Sequence, residues 1–344
     1  MTTMRGFGLR RKRGARFLAL ALLAVVAAGC GSSTGSTSGS PTSKVIVLIP
    51  KQTSDPFFTD ANNGAKEAAA ALGYTISYVG PSTADAAGQV TTIENSIQKH
   101  PAAITISGDD PDAVAPALKR AMAAGIVVSA FNADVAKDAR KFFISQASDE
   151  LIAQGIVDTM AAQVNDKGHF LLVTSTATAA NQNTWIAFMK PYIASKHPNM
   201  IIDQIIPGND DPATVLNVVS TYLAAHKSST TGVWVIGGGM SAAVKAEQQL
   251  GIDPHAMPVA GLCIPSDVKA AIHAGLIKNC VLWSPADTAY ANVYAIDAYI
   301  KGTFPKGDGT LAAGKLGNLS VTGGVVNVGK PVTFTADNID QFHF

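Results

Sequence analysis

From Lys44 onward the chain alternates short apolar runs with longer stretches of helical spacing. KVIVLIP (44–50) is an unbroken aliphatic and β-branched run, the composition of a strand buried on both faces. Asn62 to Leu72 then places alanines at helical spacing, and YTISYVG (74–80) predicts the next strand. Gly88 to Lys99 predicts a helix, AAITISG (102–108) a strand, Asp112 to Ala124 a helix and GIVVSAFN (125–132) a strand. KFFISQ, HFLLVTS, IIDQIIPG, GVWVIGG, MPVAGL and NCVLWSP continue the series, with helical stretches between most of them. This repetition predicts an α/β chain with mostly parallel sheets and helices on both faces. Roughly ten strands over about 300 residues suit two sheets better than one.

The N-terminal pattern is different. Met1 to Arg16 carries six basic residues and no acid, Phe17 to Ala28 is a continuous apolar run, and Gly29-Cys30 closes it. A basic region, a short apolar core and small residues before a cut predict an export signal over residues 1–29. The apolar run is shorter than the roughly 20 residues that a spanning helix needs. Ala27-Ala28-Gly29-Cys30 resembles a bacterial lipobox, with Ala27 where the commonest form has Leu, so Cys30 is expected to be acylated as the new N-terminus. Gly31 to Ser43 is small and polar throughout, making residues 30–43 a flexible tether. The leader's six cations turn a formal charge of +1 for the chain into −5 for the remainder, which argues against a nucleic-acid partner.

In open parallel sheets, ligands bind beyond the C-terminal ends of the strands. Those positions hold amides, aromatics and one lysine, Lys51, with no clustered carboxylates spaced for acid–base work or metal capture. The seven histidines form no HExxH or Cys-paired pattern, and no G-x-S-x-G elbow occurs. The sequence therefore predicts no enzyme, no metal and no cofactor. Gly237-Gly238-Gly239 stands between a strand and a helix beginning near Ser241, yet lacks a phosphate-binding pattern and is expected to line a cleft.

At this point the residues resemble a known family. VIVLIPKQTSDPFF, NGAKEAAAALGYTISYVGP, DPDAVAPALKRAMAAGIVV, FFISQAS, ANQNTW and the GL-IP…GLI…LW segment resemble bacterial periplasmic sugar-binding proteins of the ribose-binding type. These are type 1 periplasmic binding proteins that serve ABC importers. The likeness runs from about Val45 to Phe344 and is strongest to the branch of rhamnose and autoinducer-2 receptors. It implies two Rossmann-like lobes hinged by three crossovers, expected near Gln146, Trp283 and Gly317. The first lobe would then comprise residues 44–146 plus 284–317, and the second 147–283 plus 318–344. Related cytoplasmic repressors begin with a DNA-binding helix-turn-helix, where this chain has an export signal.

The resemblance also implies a binding site. Lys51, Asp55, Phe57 and Phe58 match the segment after the first strand. Phe131, Asn132 and Asp134 stand at a strand end where the family normally holds an aspartate. Asn181, Gln182 and Asn183 follow, with Asn181 where the autoinducer-2 branch has Asp. Gly237, Cys263 and Trp283 complete the expected set. Amides in place of two carboxylates remove charge-assisted acceptors and add donors. That change predicts a small neutral polyol or monosaccharide of about four to six carbons, held between lobes that close like a hinge. The implied role is an exported, lipid-anchored and monomeric receptor presenting its solute to an ABC permease in the membrane. The alternative is an autoinducer-2-like signal receptor, or a sensor presenting ligand to a membrane receptor. The strand reading sets Cys263 after one strand and Cys280 at the start of the next parallel one, on opposite sheet edges. That separation exceeds the roughly 7 Å a disulfide allows, so two free thiols are expected.

Overall fold

The computed structural model describes residues 43–344; the expected leader, Cys30 and nearly all of the tether lie outside the described residues. The first lobe opens with β1 (Val45–Ile49), α1 (Pro56–Leu72), β2 (Thr75–Tyr78), α2 (Ala86–Ile97), β3 (Ala103–Ile106), α3 (Pro111–Ala123), β4 (Val127–Phe131) and β5 (Phe142–Ser145). The second continues with α4 (Asp149–Val164), β6 (Lys167–Thr174), α5 (Ala180–Lys196), β7 (Asn199–Pro207), α6 (Pro212–His226), β8 (Gly232–Val235), α7 (Met240–Gln249), β9 (Val259–Gly261), α8 (Pro265–His273) and β10 (Cys280–Leu282). The chain then returns to the first lobe through α9 (Pro285–Ile300), β11 (Gly309–Ala312), β12 (Asn318–Thr322) and β13 (Val325–Asn327), and ends in the second with β14 (Val332–Phe334).

Three sheets result. The first runs β11-β12-β13-β5-β4-β3-β1-β2, with β1 to β5 parallel. The second is the wholly parallel β7-β6-β8-β9, and β10 pairs antiparallel with β14 beside it. Alternation along β1 shows why its run is unbroken: Ile46 and Leu48 join one core, Val47 and Ile49 the other. A strand covered by helices on both sides has no solvent face, so every position is apolar.

Local chemistry sets the helix starts. Asp55 caps α1 by accepting from Phe57 N–H at 2.8 Å, Pro56 opens the first turn, and Gly73 ends the helix at φ 76°. α1 packs on α9 closely enough that a Cβ on Gly64 would lie 2.0 Å from the Ala286 carbonyl oxygen. That contact returns the chain to the first lobe after Trp283.

Two expectations are corrected here. The third crossover lies beyond Asn327, not near Gly317, because β12 and β13 form a hairpin on the first sheet and only β14 returns to the second lobe. Its turn is Gly323-Gly324, both at positive φ as a tight hairpin requires. The cysteines are not free either: Cys263 and Cys280 form a disulfide, with Cα atoms 5.8 Å apart. β10 does not lie abreast of β9. It is displaced forward by about the length of that short strand, so Leu262 bridges Val281 and Cys263 N–H donates to Val281 O at 3.2 Å. The stagger brings the beginning of one strand beside the end of the other.

Candidate ligand-binding cleft

The C-terminal ends of both main sheets face one cleft, and helix N-termini converge there because each helix follows a strand. The cleft holds a cavity of about 70 Å³. At roughly 10–15 Å³ per water, that is room for about five to seven waters. Of the expected residues, Lys51, Asp55, Phe57, Phe58, Asn132, Asn181, Gln182, Gly237, Cys263 and Trp283 line it. Three do not. Phe131 is fully buried in β4, edge-on to Phe58 at 6.3 Å. Asp134 is taken by a two-point ion pair with Arg140. Asn183 lies on the exposed face of α5 and donates to Ala177 O at 3.0 Å.

One wall is aromatic. Phe58, Phe57, Trp283 and Trp185 form a chain of edge contacts with centroids 5.0, 6.2 and 5.4 Å apart. Trp185 donates its indole N–H to Asp149 Oδ1 at 2.7 Å, whereas the buried Nε1 of Trp283 has no partner among the described residues. A buried donor left unpaired costs about 1–3 kcal/mol, so Trp283 is a vacant hydrogen-bond position beside the cavity.

The polar contacts cross between lobes. Lys51 is only 1% exposed, and its Nζ donates to Asn181 Oδ1 at 3.3 Å and Gln182 Oε1 at 3.4 Å. Both amides sit in the first turn of α5, whose cap residue Ala179 supplies no side-chain acceptor. Gln52 Nε2 donates to Asp210 O at 3.0 Å, and Thr178 Oγ1 to Asp109 O at 3.3 Å. Asn132 sits at φ 61°, a left-handed conformation that Asn tolerates, and donates to Ser107 Oγ at 3.1 Å. Its residue type therefore serves the backbone as well as the cavity.

Carboxylates converge more than the sequence suggested. Burial, aided by the Asp210 charge, pushes Asp55 up to about 7. Burial likewise pushes Asp109 up to about 6, against the pull of Lys51, and its Oδ1 has no partner among the described residues. Asp210 is held by Ser175 Oγ and by Gly238 N–H at 2.8 Å. The glycine run makes room for it, since a Cβ on Gly237 would fall 2.4 Å from Asp210 Oδ1. Asp210, Trp185 and Asp267 are lining residues that the sequence reading missed. The strand-end rule points to Asp210 in the loop after β7; Trp185 lies inside α5, where helical spacing alone reads as core. No group of three or more His, Cys, Asp or Glu among the described residues could hold a metal ion, and no described helix is long and apolar enough to cross a membrane.

A cleft between two doubly wound lobes, reached by three crossovers, is the architecture of a solute receptor. Residues 46–303 match the periplasmic binding protein domain model, and the chain belongs to that family of non-enzymatic, extracytoplasmic solute receptors. The structure is similar to a sugar ABC transporter protein from Actinomyces odontolyticus at 32% identity, TM-score 0.70, covering 88% of this chain and 98% of that one. It is also similar to LsrB from Clostridium saccharobutylicum in complex with AI-2, at 25% identity, TM-score 0.82, covering 87% and 100%. A third is an ABC transporter solute-binding protein from Clostridium phytofermentas with bound L-rhamnose, at 26% identity, TM-score 0.82, covering 87% and 98%.

Proposed function

We propose that the chain is the receptor of a carbohydrate ABC importer and binds one small neutral polyol or monosaccharide. The observation that carries this reading is the lining of the cavity, a continuous aromatic wall beside a lysine–amide network drawn from both lobes. Aromatic rings suit the C–H faces of a sugar, and amides exchange donor and acceptor bonds with its hydroxyls. Structural neighbours bound to L-rhamnose, D-arabinose and AI-2 support a ligand of this chemical class. Lys51, Asn132, Asn181, Gln182 and Trp283 would make the polar contacts, and Phe57 and Phe58 the stacking ones. Ligand would take the place of part of the lysine–amide contact between the lobes, and the loaded form is what a permease would engage.

A thermal-shift screen of the purified protein against L-rhamnose, D-arabinose, D-tagatose, xylitol and erythritol tests the reading. A solute that binds only the folded protein raises the melting temperature by mass action. A shift with one or two of these solutes is expected; no shift with any neutral carbohydrate overturns the reading. A shift with autoinducer-2 alone moves the assignment to a signal receptor. The leader supports acylation at Cys30, which mass spectrometry of the mature N-terminal peptide tests directly.

A further inference from the structure

Gln89 is fully buried in α2 and meets three backbone groups at once. Its Nε2 donates to Pro50 O and to Ser107 O, both at 2.8 Å, while its Oε1 accepts from Asp109 N–H at 2.9 Å. Pro50 immediately precedes Lys51. Ser107 holds Asn132 through its Oγ, and the Asp109 carbonyl accepts from Thr178 of the opposite lobe. β1 and β3 are neighbours in the sheet, and Pro50 and Ser107 lie one residue past their ends, where the last backbone bond between them runs from Ser107 N–H to Ile49 O at 3.0 Å and leaves both carbonyls to Gln89.

We infer that Gln89 is the positioning residue for the first lobe's half of the binding site, a cross-brace fixing the β1 and β3 ends and through them Lys51 and Asn132. The inference rests on the proposed reading of the cleft as the solute site. Only an amide supplies two donors and an acceptor in one plane at this position. An ionised Glu would face two carbonyl oxygens with acceptors alone. Met fills the space but orphans three backbone groups at once. Gln89 does not line the cavity, so its effect on a bound solute is exerted through the groups it holds.

The test uses Gln89→Met and Gln89→Glu with calorimetric titration of L-rhamnose, D-arabinose and xylitol, alongside melting temperatures and amide hydrogen exchange. For Gln89→Met, the Kd of the bound probe rises at least tenfold at a temperature where the variant remains folded. Exchange at the Asp109 N–H rises at least tenfold as well, while that at Trp234 in the second lobe stays near wild type. For Gln89→Glu, the loss relative to wild type is smaller at pH 5 than at pH 8, because a protonated carboxyl regains one donor. A lower melting temperature with unchanged Kd and unchanged Asp109 exchange overturns the inference. If wild type binds none of the three probes, the solute reading fails for them. The exchange measurement then decides on the brace, and unchanged Asp109 protection refutes it.

Discussion

Lys51 Nζ reaches across the cleft to Asn181 Oδ1 at 3.3 Å, joining the end of β1 to the first turn of α5. The lysine is 1% exposed, yet the partners it touches are neutral amides. A buried ammonium with neutral acceptors is incompletely satisfied, and a solute hydroxyl or carbonyl oxygen can complete its shell.

Removing that donor should therefore affect binding more than folding. Lys51→Met keeps the aliphatic stem and deletes the ammonium. Hydrogen bonds to charged groups are worth about 1.5–3 kcal/mol, so the Kd of the sugar identified by screening should rise by one to two orders of magnitude. Calorimetry on the variant, with circular dichroism to confirm folding, checks this; unchanged affinity contradicts the role given to Lys51.

Trp283→Phe separates stacking from hydrogen bonding. The ring contact with Phe57 is retained, while the unpartnered Nε1 disappears. The unliganded variant should lose stability only through the space the smaller ring leaves beside Trp185, since no existing hydrogen bond is lost. Its affinity should fall roughly fivefold or more, the equivalent of about 1 kcal/mol for one donor. Melting temperatures with and without sugar report both effects.

Three buried carboxyls set the pH dependence. Glu247 in α7 is fully buried without a partner among the described residues, and burial pushes it up to about 8. Asp55 and Asp109 are raised to about 7 and about 6. Each folded-state value exceeds the unfolded one, so the folded protein holds these protons more tightly. Their stability contribution is present at low pH and is lost as pH rises, through about 6 for Asp109 and about 8 for Glu247. Melting temperature should thus decline between pH 5 and pH 9 on account of these groups. Glu247→Gln should flatten the decline over its whole span up to about pH 8, gaining several degrees at pH 8.5 and little at pH 5. Asp55→Asn should flatten the middle part while still capping α1, since Asn caps as well as Asp.

The Cys263–Cys280 bridge closes a loop with a sequence separation of 17 and ties a cavity-lining residue to β10. A loop of this length contributes about 3 kcal/mol in the chain-entropy account. A Cys263→Ser, Cys280→Ser double variant should unfold at distinctly lower denaturant concentration, and added reductant should move wild type toward it but leave the variant unchanged.

Much of this molecule was legible in the sequence because its strands are buried on both faces. Unbroken runs such as Val45–Ile49 announce a parallel sheet, the strand-end rule then leads to the segments that hold Lys51, Asn132 and Asn181, and the family resemblance singles those residues out. What escaped depends on distance along strands rather than on residue type. The stagger between β9 and β10, which makes the disulfide possible, has no periodic signature. The β12–β13 hairpin does carry one, in alternating NLSVT, Gly-Gly and VVN, although the resemblance places residues 318–344 in the second lobe. Asp210 and Gln89 act through backbone hydrogen bonds, which a list of side-chain types along the chain does not reveal.

The central claim is that this cleft closes on one small neutral sugar or polyol. The most direct test is calorimetric titration of the wild-type protein with the screened monosaccharide, its uronic acid and a disaccharide containing it. The account predicts saturable one-to-one binding of the neutral monosaccharide and at least hundredfold weaker binding of the other two. Equal or tighter binding of the uronic acid or the disaccharide would contradict it.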